Sequence, residues 1–354
     1  MPPNSQLSNW LKSFTTIPRR APQNRVCYTG VSDFAQSTVT KLRISVVQYL
    51  NTAPLVRGFT HGPLRGKYNL SFTVPSQCAE ALRTRAADVA IIPAIEYPRI
   101  VSQGIGLTIL PGLAIASKER VRSLLLLAKV PIRQARRIAL DGSSRSTQAL
   151  VKILAARRWR IAPEFFEIDP DPTSMLTDAD AALIIGDAAL RIAIGAEMHM
   201  APGPDGEWLS TGATAGISGL GALHIYDVVK EWWHLTEKPA VLAVWAARNE
   251  IATPELAEDF LASRDFGLRQ IPEICAEAAQ QMRLPERDLH VYLEKNIDYG
   301  LDEENLQGLL SFFQYSQALN LIGPLQSIAI AAGRNSHARF MDFTYARNTA
   351  SSRA

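Results

Sequence analysis

The stretch "VVQYLNTAPLVRG", residues 46–58, decides how the chain is read. Residues 44–50 are rich in β-branched and apolar side chains, the composition of a buried strand. Asn51 and Thr52 follow at once. Both residue types cap helices, because their side-chain oxygens accept from free backbone N–H groups. Pro54 fits the first helical turn, where its missing N–H would have had no partner. The stretch therefore reads as strand, cap, helix. Such a junction turns unpaired N–H groups and the positive end of a helix dipole toward the end of the strand, which suits an anion. Taken alone, these residues are better explained as a capped helix without a ligand.

Outward from this junction the same alternation repeats. Ten apolar runs read as strands: "LRISVVQYL", "LSFTVPS", "ADVAIIPA", "GLTILPGLAIAS", "VRSLLLLAK", "RRIALDGSS", "EFFEI", "DAALIIGD", "ALHIYDV" and "AVLAVWAAR". Most are short and unbroken, as in strands covered on both faces. Helical patterns lie between them, such as "STQALVKILAARRW", where Leu150, Ile153 and Leu154 share one face. The alternation predicts an α/β fold with mainly parallel sheets. From about residue 253 the pattern is helical only. Residues 195–222 form a long loop rich in glycine, serine and proline. Gly216, Gly219 and Gly221 lack the strand and the Lys-Ser/Thr of a phosphate loop, so the segment reads as a surface insertion.

With 354 residues, 47% hydrophobic, the chain is long enough for two domains. Its formal charge of +3 sits in the ends. Residues 1–41 carry five basic residues against one acid and residues 332–354 four against one, which leaves the body, 42–331, at −4. An acidic body argues against nucleic acid as a partner. No apolar run reaches the roughly 20 residues of a membrane span, so no membrane partner is expected. Cys27, Cys78 and Cys275 are far apart and form neither a disulfide framework nor a zinc pattern, which fits a reducing compartment. Polar, Pro-rich residues 1–40 lack the apolar core of a secretion signal and read as a disordered leader. The basic tail 332–354 reads similarly, although Phe340, Phe343 and Tyr345 could dock on the body.

Four segments share the layout of strand, small or polar residues, then helix: 46–54, 89–97, 138–150 and 183–191. Ligands of open α/β sheets bind outside the carboxyl ends of the strands. Four such ends could converge on one cleft. The third, "IALDGSSRSTQAL", offers Ser143, Ser144, Arg145, Ser146 and Thr147 at a helix start, a set suited to a carboxylate or phosphate, or to a plain Ser/Thr cap with a solvated arginine. There is no GxSxG elbow, and the six histidines are scattered without metal spacing. Glu96 begins a predicted helix, where capping is its first role and acid–base work its second.

These segments resemble, in order, the chorismate dehydratase family, which opens the futalosine route to menaquinone. The resemblance runs over about 42–323 and includes "YDVVKEWWHLTEKPAVLAVWAAR" and "YLEKNIDYGLDEENLQGLLSFFQYSQALNLI". It implies a two-domain, type II periplasmic-binding-protein-like fold with an interdomain cleft and an all-helical C-terminal segment. The boundaries expected are 42–126 for the first part of domain 1, 127–240 for domain 2 and 241–331 for the rest of domain 1. It further implies a cytoplasmic carbon–oxygen lyase that converts chorismate to 3-[(1-carboxyvinyl)oxy]benzoate and water with no metal and no cofactor. Asn51 matches the family's essential asparagine. Thr52, Ala94, Ile95, Ser123, Ser143, Ser144, Thr147, Gly186 and Asp187 fall on its substrate-binding segments. Ala94 stands where the family often has serine, and Gly142 where Ser or Thr is usual. If a metal were present, Glu96, Asp141 and Asp187 are the acids near the strand ends. Two alternatives stand beside this reading: the sister enzyme acting on cyclic dehypoxanthine futalosine, and a solute-binding protein for small anions. Neither oligomeric state nor closure motion is legible.

Overall fold

The computed structural model describes residues 41–197, 201–202, 207–211, 221–325, 327–331 and 339–342. The leader 1–40, most of the 195–222 insertion with Gly216 and Gly219, and the tail with Phe343 and Tyr345 lie outside the described residues. All ten apolar runs contain a strand. The first part of the chain runs β1 (Arg43–Val47), α1 (Ala53–Thr60), β2 (Asn69–Thr73), α2 (Pro75–Arg83), β3 (Val89–Pro93), α3 (Glu96–Val101) and β4 (Leu107–Ser117). The middle part runs β5 (Leu124–Ala128), β6 (Arg137–Asp141), α4 (Arg145–Leu154), β7 (Glu164–Ile168), α5 (Pro172–Asp178), β8 (Ala181–Ile185), α6 (Gly186–Glu197), β9 (Ala201–Pro202), β10 (Trp208–Thr211), β11 (Ala222–Asp227) and α7 (Val228–Thr236). Then follow β12 (Ala240–Arg248), α8 (Pro254–Arg269), α9 (Ile271–Met282), α10 (Glu286–Val291), α11 (Glu303–Ala318), β13 (Ser327–Ile330) and β14 (Arg339–Asp342).

Two seven-stranded sheets result, ordered β14-β13-β4-β12-β3-β1-β2 and β7-β6-β8-β5-β11-β10-β9. Neither is mainly parallel, contrary to expectation. β1 pairs in parallel with β2 and β3, and β6 with β7 and β8, but β12 is antiparallel to β3 and β4, and β5 to β8 and β11. The physical reason is the double crossing between sheets. A strand reached from the other sheet has no helical crossover to make it parallel to its neighbour. β5 lies wholly in the second sheet, so the chain crosses before Leu124 rather than at 126/127. The helical stretch read from 253 holds through Ala318, and β13 then adds a strand to the first sheet, its Ile328 fully buried.

Asp227, buried at the start of α7, pins the first crossing. Its carboxylate accepts the backbone N–H groups of Val121 and Arg122 from the crossing and of Val229 and Lys230 from its own helix. The core of the first domain centres on Phe260 of α8, whose ring meets Phe59 of α1 at 4.9 Å and Trp245 of β12 at 4.7 Å, both edge-on. α1 and α8 approach so closely that a Cβ on Gly267 would lie 1.9 Å from the Pro54 carbonyl oxygen. Leu150, Ile153 and Leu154 are buried together as their spacing predicts.

Candidate active site

The junction that opens the chain does not fold as a strand running straight into a capped helix. β1 ends at Val47, and Leu50–Thr52 form a 3-10 turn before α1. The extended torsions of a cap fall on Tyr49, at φ −121° and ψ 155°, while Thr52 is already helical at φ −88° and ψ −20°. Neither Asn51 nor Thr52 caps α1 with its side chain, because a residue with helical torsions cannot turn its side chain back onto the first N–H groups. The Asn51 amide therefore serves no helix cap. Its oxygen accepts a hydrogen bond from Thr52 Oγ1 at 3.3 Å, and the group faces the Tyr292 hydroxyl.

Asn51 lines a cavity of about 50 Å³ between the two sheets. Val47, Tyr49, Pro75 and Pro93 contribute from the first sheet and its loops; Ser123, Ser144, Thr147 and Gly186 close it from the second. Among the described residues, no Lys, Arg, His, Asp or Glu lines it. Ser144 precedes α4 but does not cap it. Its hydroxyl shares a 2.8 Å hydrogen bond with Thr147 Oγ1, which leaves the first turn of the helix without a side-chain cap. The buried Ser123 Oγ makes no well-aligned hydrogen bond with a protein group, and the Tyr292 hydroxyl is near enough to interact with it as a hydrogen-bond partner. Gly186 has φ +64°, and a Cβ there would lie 2.8 Å from the Tyr49 ring, so two requirements for glycine coincide.

Five of the ten sequence-predicted residues thus line one cavity: Asn51, Ser123, Ser144, Thr147 and Gly186. The other five do not. Thr52 is buried and hydrogen-bonds Asn51. Ala94 spends its N–H on the Leu242 carbonyl, and Ile95 gives its N–H to Ser146 Oγ at 3.2 Å. Ser143 turns back, its N–H on Asp141 Oδ1 at 2.8 Å and its hydroxyl 3.4 Å from Tyr49 OH. Asp187 accepts the Leu50 N–H at 3.1 Å. In each case a protein partner already holds the group expected to bind ligand.

Sequence reasoning missed Tyr49 and Tyr292. Tyr49 sits on the strand-to-turn junction, and Tyr292 in a π-helical turn, Tyr292–Asn296, remote in sequence. Burial pushes both phenols well above their ordinary value, so both remain protonated donors. The acids singled out as alternative metal holders are not gathered. Glu96 is fully buried against Arg83 and Arg99 at 2.9 Å each and Arg145 at 3.4 Å. Burial works to raise its carboxyl, but the hydrogen bonds from Arg99 and Arg83 and the Arg145 charge outweigh it, and the group lies below its ordinary value. Burial pushes Asp141 up against the bonds from Ser143, and Asp187 up to about 6. Among the described residues, no three His, Cys, Asp or Glu side chains gather as a metal site would require.

The sequence profile of a family described as menaquinone biosynthesis matches residues 42–318. The chorismate dehydratase of Thermus thermophilus is 26% identical over 280 residues, which cover 78% of this chain and 95% of that one. Solved structures share the architecture at lower identity. A protein of Archaeoglobus fulgidus superposes with a TM-score of 0.59 at 17% identity, over 80% of this chain and all of that one. The alkanesulfonate-binding protein of Xanthomonas axonopodis pv. citri, bound to MOPS, gives 0.54 at 14% identity, over 80% and 94%. These likenesses place the fold with the periplasmic-binding-protein-like proteins. No described helix is long and apolar enough to cross a membrane.

Proposed function

Because the chain belongs to the menaquinone biosynthesis family, we propose that it is a hydro-lyase that converts chorismate to 3-[(1-carboxyvinyl)oxy]benzoate and water. The observation that carries this reading is the chemistry of the cavity wall. Asn51, Ser123, Ser144, Thr147 and Tyr49 supply neutral hydrogen-bond donors from both domains, and none of the described residues that line the cavity is a base near neutral pH. Neutral donors at an uncapped helix start suit a carboxylate, and chorismate carries two.

The reaction breaks the carbon–oxygen bond to the ring hydroxyl and one ring carbon–hydrogen bond. The electron pair of the latter completes the aromatic ring. The proton passes to the substrate's own enolpyruvyl carboxylate and ends on the departing hydroxide, so one water leaves. The protein's task is to hold the ring and that carboxylate in a reactive geometry and to stabilise charge as the hydroxide departs. Asn51 orients the substrate by hydrogen bonds, because an amide is too weak a base to take the proton itself. Tyr292, protonated and beside Asn51 and Ser123, keeps that amide in place. Chorismate here would be worked on in the cytoplasm, as part of the futalosine route.

Incubating the purified protein with chorismate tests this directly. Growth of an aromatic absorption band, with a product lighter than chorismate by one water, is the expected outcome. Chorismate bound but recovered unchanged would turn the reading toward a solute-binding protein. Turnover of cyclic dehypoxanthine futalosine instead would assign the sister reaction.

A further inference from the structure

The two sheets meet at the cavity through polar contacts, and one of them reaches the backbone of the Asn51 turn. Leu50, first residue of that turn, donates its N–H at 3.1 Å to Asp187 Oδ1, which comes from the second sheet's α6, 137 residues away. The adjoining Gly186 lies against the Tyr49 ring, and Gly186 N–H is itself held by the Ser123 carbonyl at 2.8 Å. Other contacts cross the same gap: Ser76 N–H to the Ser143 carbonyl at 3.1 Å, and Ile95 N–H to Ser146 Oγ at 3.2 Å. Of these contacts, the one from Asp187 alone joins a buried carboxyl to the turn that carries Asn51.

We propose that Asp187 is a positioning residue that contacts no substrate: its carboxyl latches the Leu50 N–H when the two domains close, and so sets the Asn51 amide for catalysis. The proposal deepens the dehydratase reading and rests on it for its kinetic arm, but not for its structural arm. Asp187 does not line the cavity, while its neighbour Gly186 does. Its carboxyl is instead spent on backbone from the opposite domain. The latch also has a pH dependence. The titratable groups that face it are Arg191 on its own helix, Tyr49 beside the turn and Tyr292 from the π-helical segment. Burial disfavours its ionised form more than the Leu50 N–H and Arg191 favour it. Raising the pH through about 6 therefore ionises a buried acid and weakens closure, and lowering it restores closure.

The test compares the wild type with Asp187→Asn, which keeps an oxygen acceptor at the same place, and Asp187→Ala, which does not. Amide hydrogen exchange at Leu50, measured without substrate, reads the latch. Kinetics on chorismate read its consequence. Expected are a Leu50 protection factor held in Asp187→Asn and reduced about tenfold or more in Asp187→Ala, with kcat following the same order and rescued by asparagine. Protection in the wild type should fall as pH rises through about 6, and that fall should be absent in Asp187→Asn. This last comparison needs no alanine variant and decides the matter should Asp187→Ala fail to fold. Equal protection in all three proteins, or the same pH profile in wild type and Asp187→Asn, overturns the latch. Retained protection with kcat lost in Asp187→Asn as fully as in Asp187→Ala overturns the positioning role, because the carboxylate would then act chemically. A protein that leaves chorismate untouched but shows the expected exchange pattern would sink the dehydratase reading and keep the latch.

Discussion

Replacing Asn51 by Ala separates a structural role from a catalytic one with unusual clarity, because the side chain carries so little of the fold. It is buried, but it caps no helix. Its hydrogen bonds are the 3.3 Å contact from Thr52 and a contact with the Tyr292 hydroxyl. Losing a neutral hydrogen bond of that kind costs about 0.5–1.5 kcal/mol. In a protein of this size that lowers the melting temperature by only a few degrees, at roughly 2–4 °C per kcal/mol. The loss in rate is of another order. Removing one preorganised donor from a site where charge develops typically costs about 10²–10³ in kcat. Thermal melting monitored by circular dichroism gives the first quantity, and the aromatic absorption of the product gives the second. A folded Asn51→Ala protein with turnover within about threefold of wild type would refute the reasoning, and so would a rate loss that tracks a collapse of the melting transition.

Three further outcomes are expected. Ser144→Ala with Thr147→Ala should raise KM for chorismate at least about tenfold, since each hydroxyl bound to a charged group is worth about 1.5–3 kcal/mol; the two share a hydrogen bond, so their effects will not add. Unchanged binding in the double variant, measured by calorimetry with product, would mean that the start of α4 holds no carboxylate. Tyr292→Phe should lower kcat about tenfold with KM little changed, because only the hydroxyl beside Asn51 is lost; an unaltered kcat would leave the tyrosine a core residue. Dialysis against a chelator should leave the rate as it was, since the donors lining the cavity are neutral amide and hydroxyl groups. Activity lost to EDTA and restored by one divalent ion would overturn the cofactor-free reading.

Strand positions were legible because buried strands in α/β folds are unbroken apolar runs, and ten such runs stand out against polar loops. Strand direction was not. Whether β5 and β12 run parallel to their neighbours depends on a chain path between two sheets, to which no local pattern is sensitive. The site divides along the same line. A strand end followed by small polar residues has a direct geometric meaning, which marked the loop of Ser144 and Thr147, whereas Asn51, read alone as a helix cap, was singled out by the family resemblance. Tyr292 could not, since its place beside Asn51 arises from tertiary packing of a π-helical turn. The capping argument failed for a local reason: a single 3-10 turn moved the extended residue back to Tyr49. The family resemblance put Ala94, Ile95, Ser143 and Asp187 on substrate-binding segments, and no local pattern shows that protein groups already hydrogen-bond them here.

Among the described residues no cation lines the cavity, and this bears on the proposed chemistry. Arginine would hold a dicarboxylate most tightly, and Arg145 stands at the right helix start to do so. It is turned instead toward Glu96, at 3.4 Å, where Arg83 and Arg99 also converge. A guanidinium paired with the enolpyruvyl carboxylate would favour its ionised form and make it a poorer base. Hydroxyls and an amide hold the same group with less of that penalty. They bind more weakly, and the deficit has to come from enclosure, which strengthens every hydrogen bond by removing water. At about 50 Å³ the cavity falls well short of a ring bearing two carboxylates. If the domains part to admit such a substrate, polar contacts at the cavity, among them Leu50 to Asp187, Ser76 to Ser143, Ile95 to Ser146 and the Arg145–Glu96 pair, have to break and re-form. Hydrogen bonds of modest strength suit that cycle, since each costs about 1 kcal/mol to open, while apolar packing such as Trp232 of α7 against Phe312 and Tyr315 of α11 keeps the two domains joined.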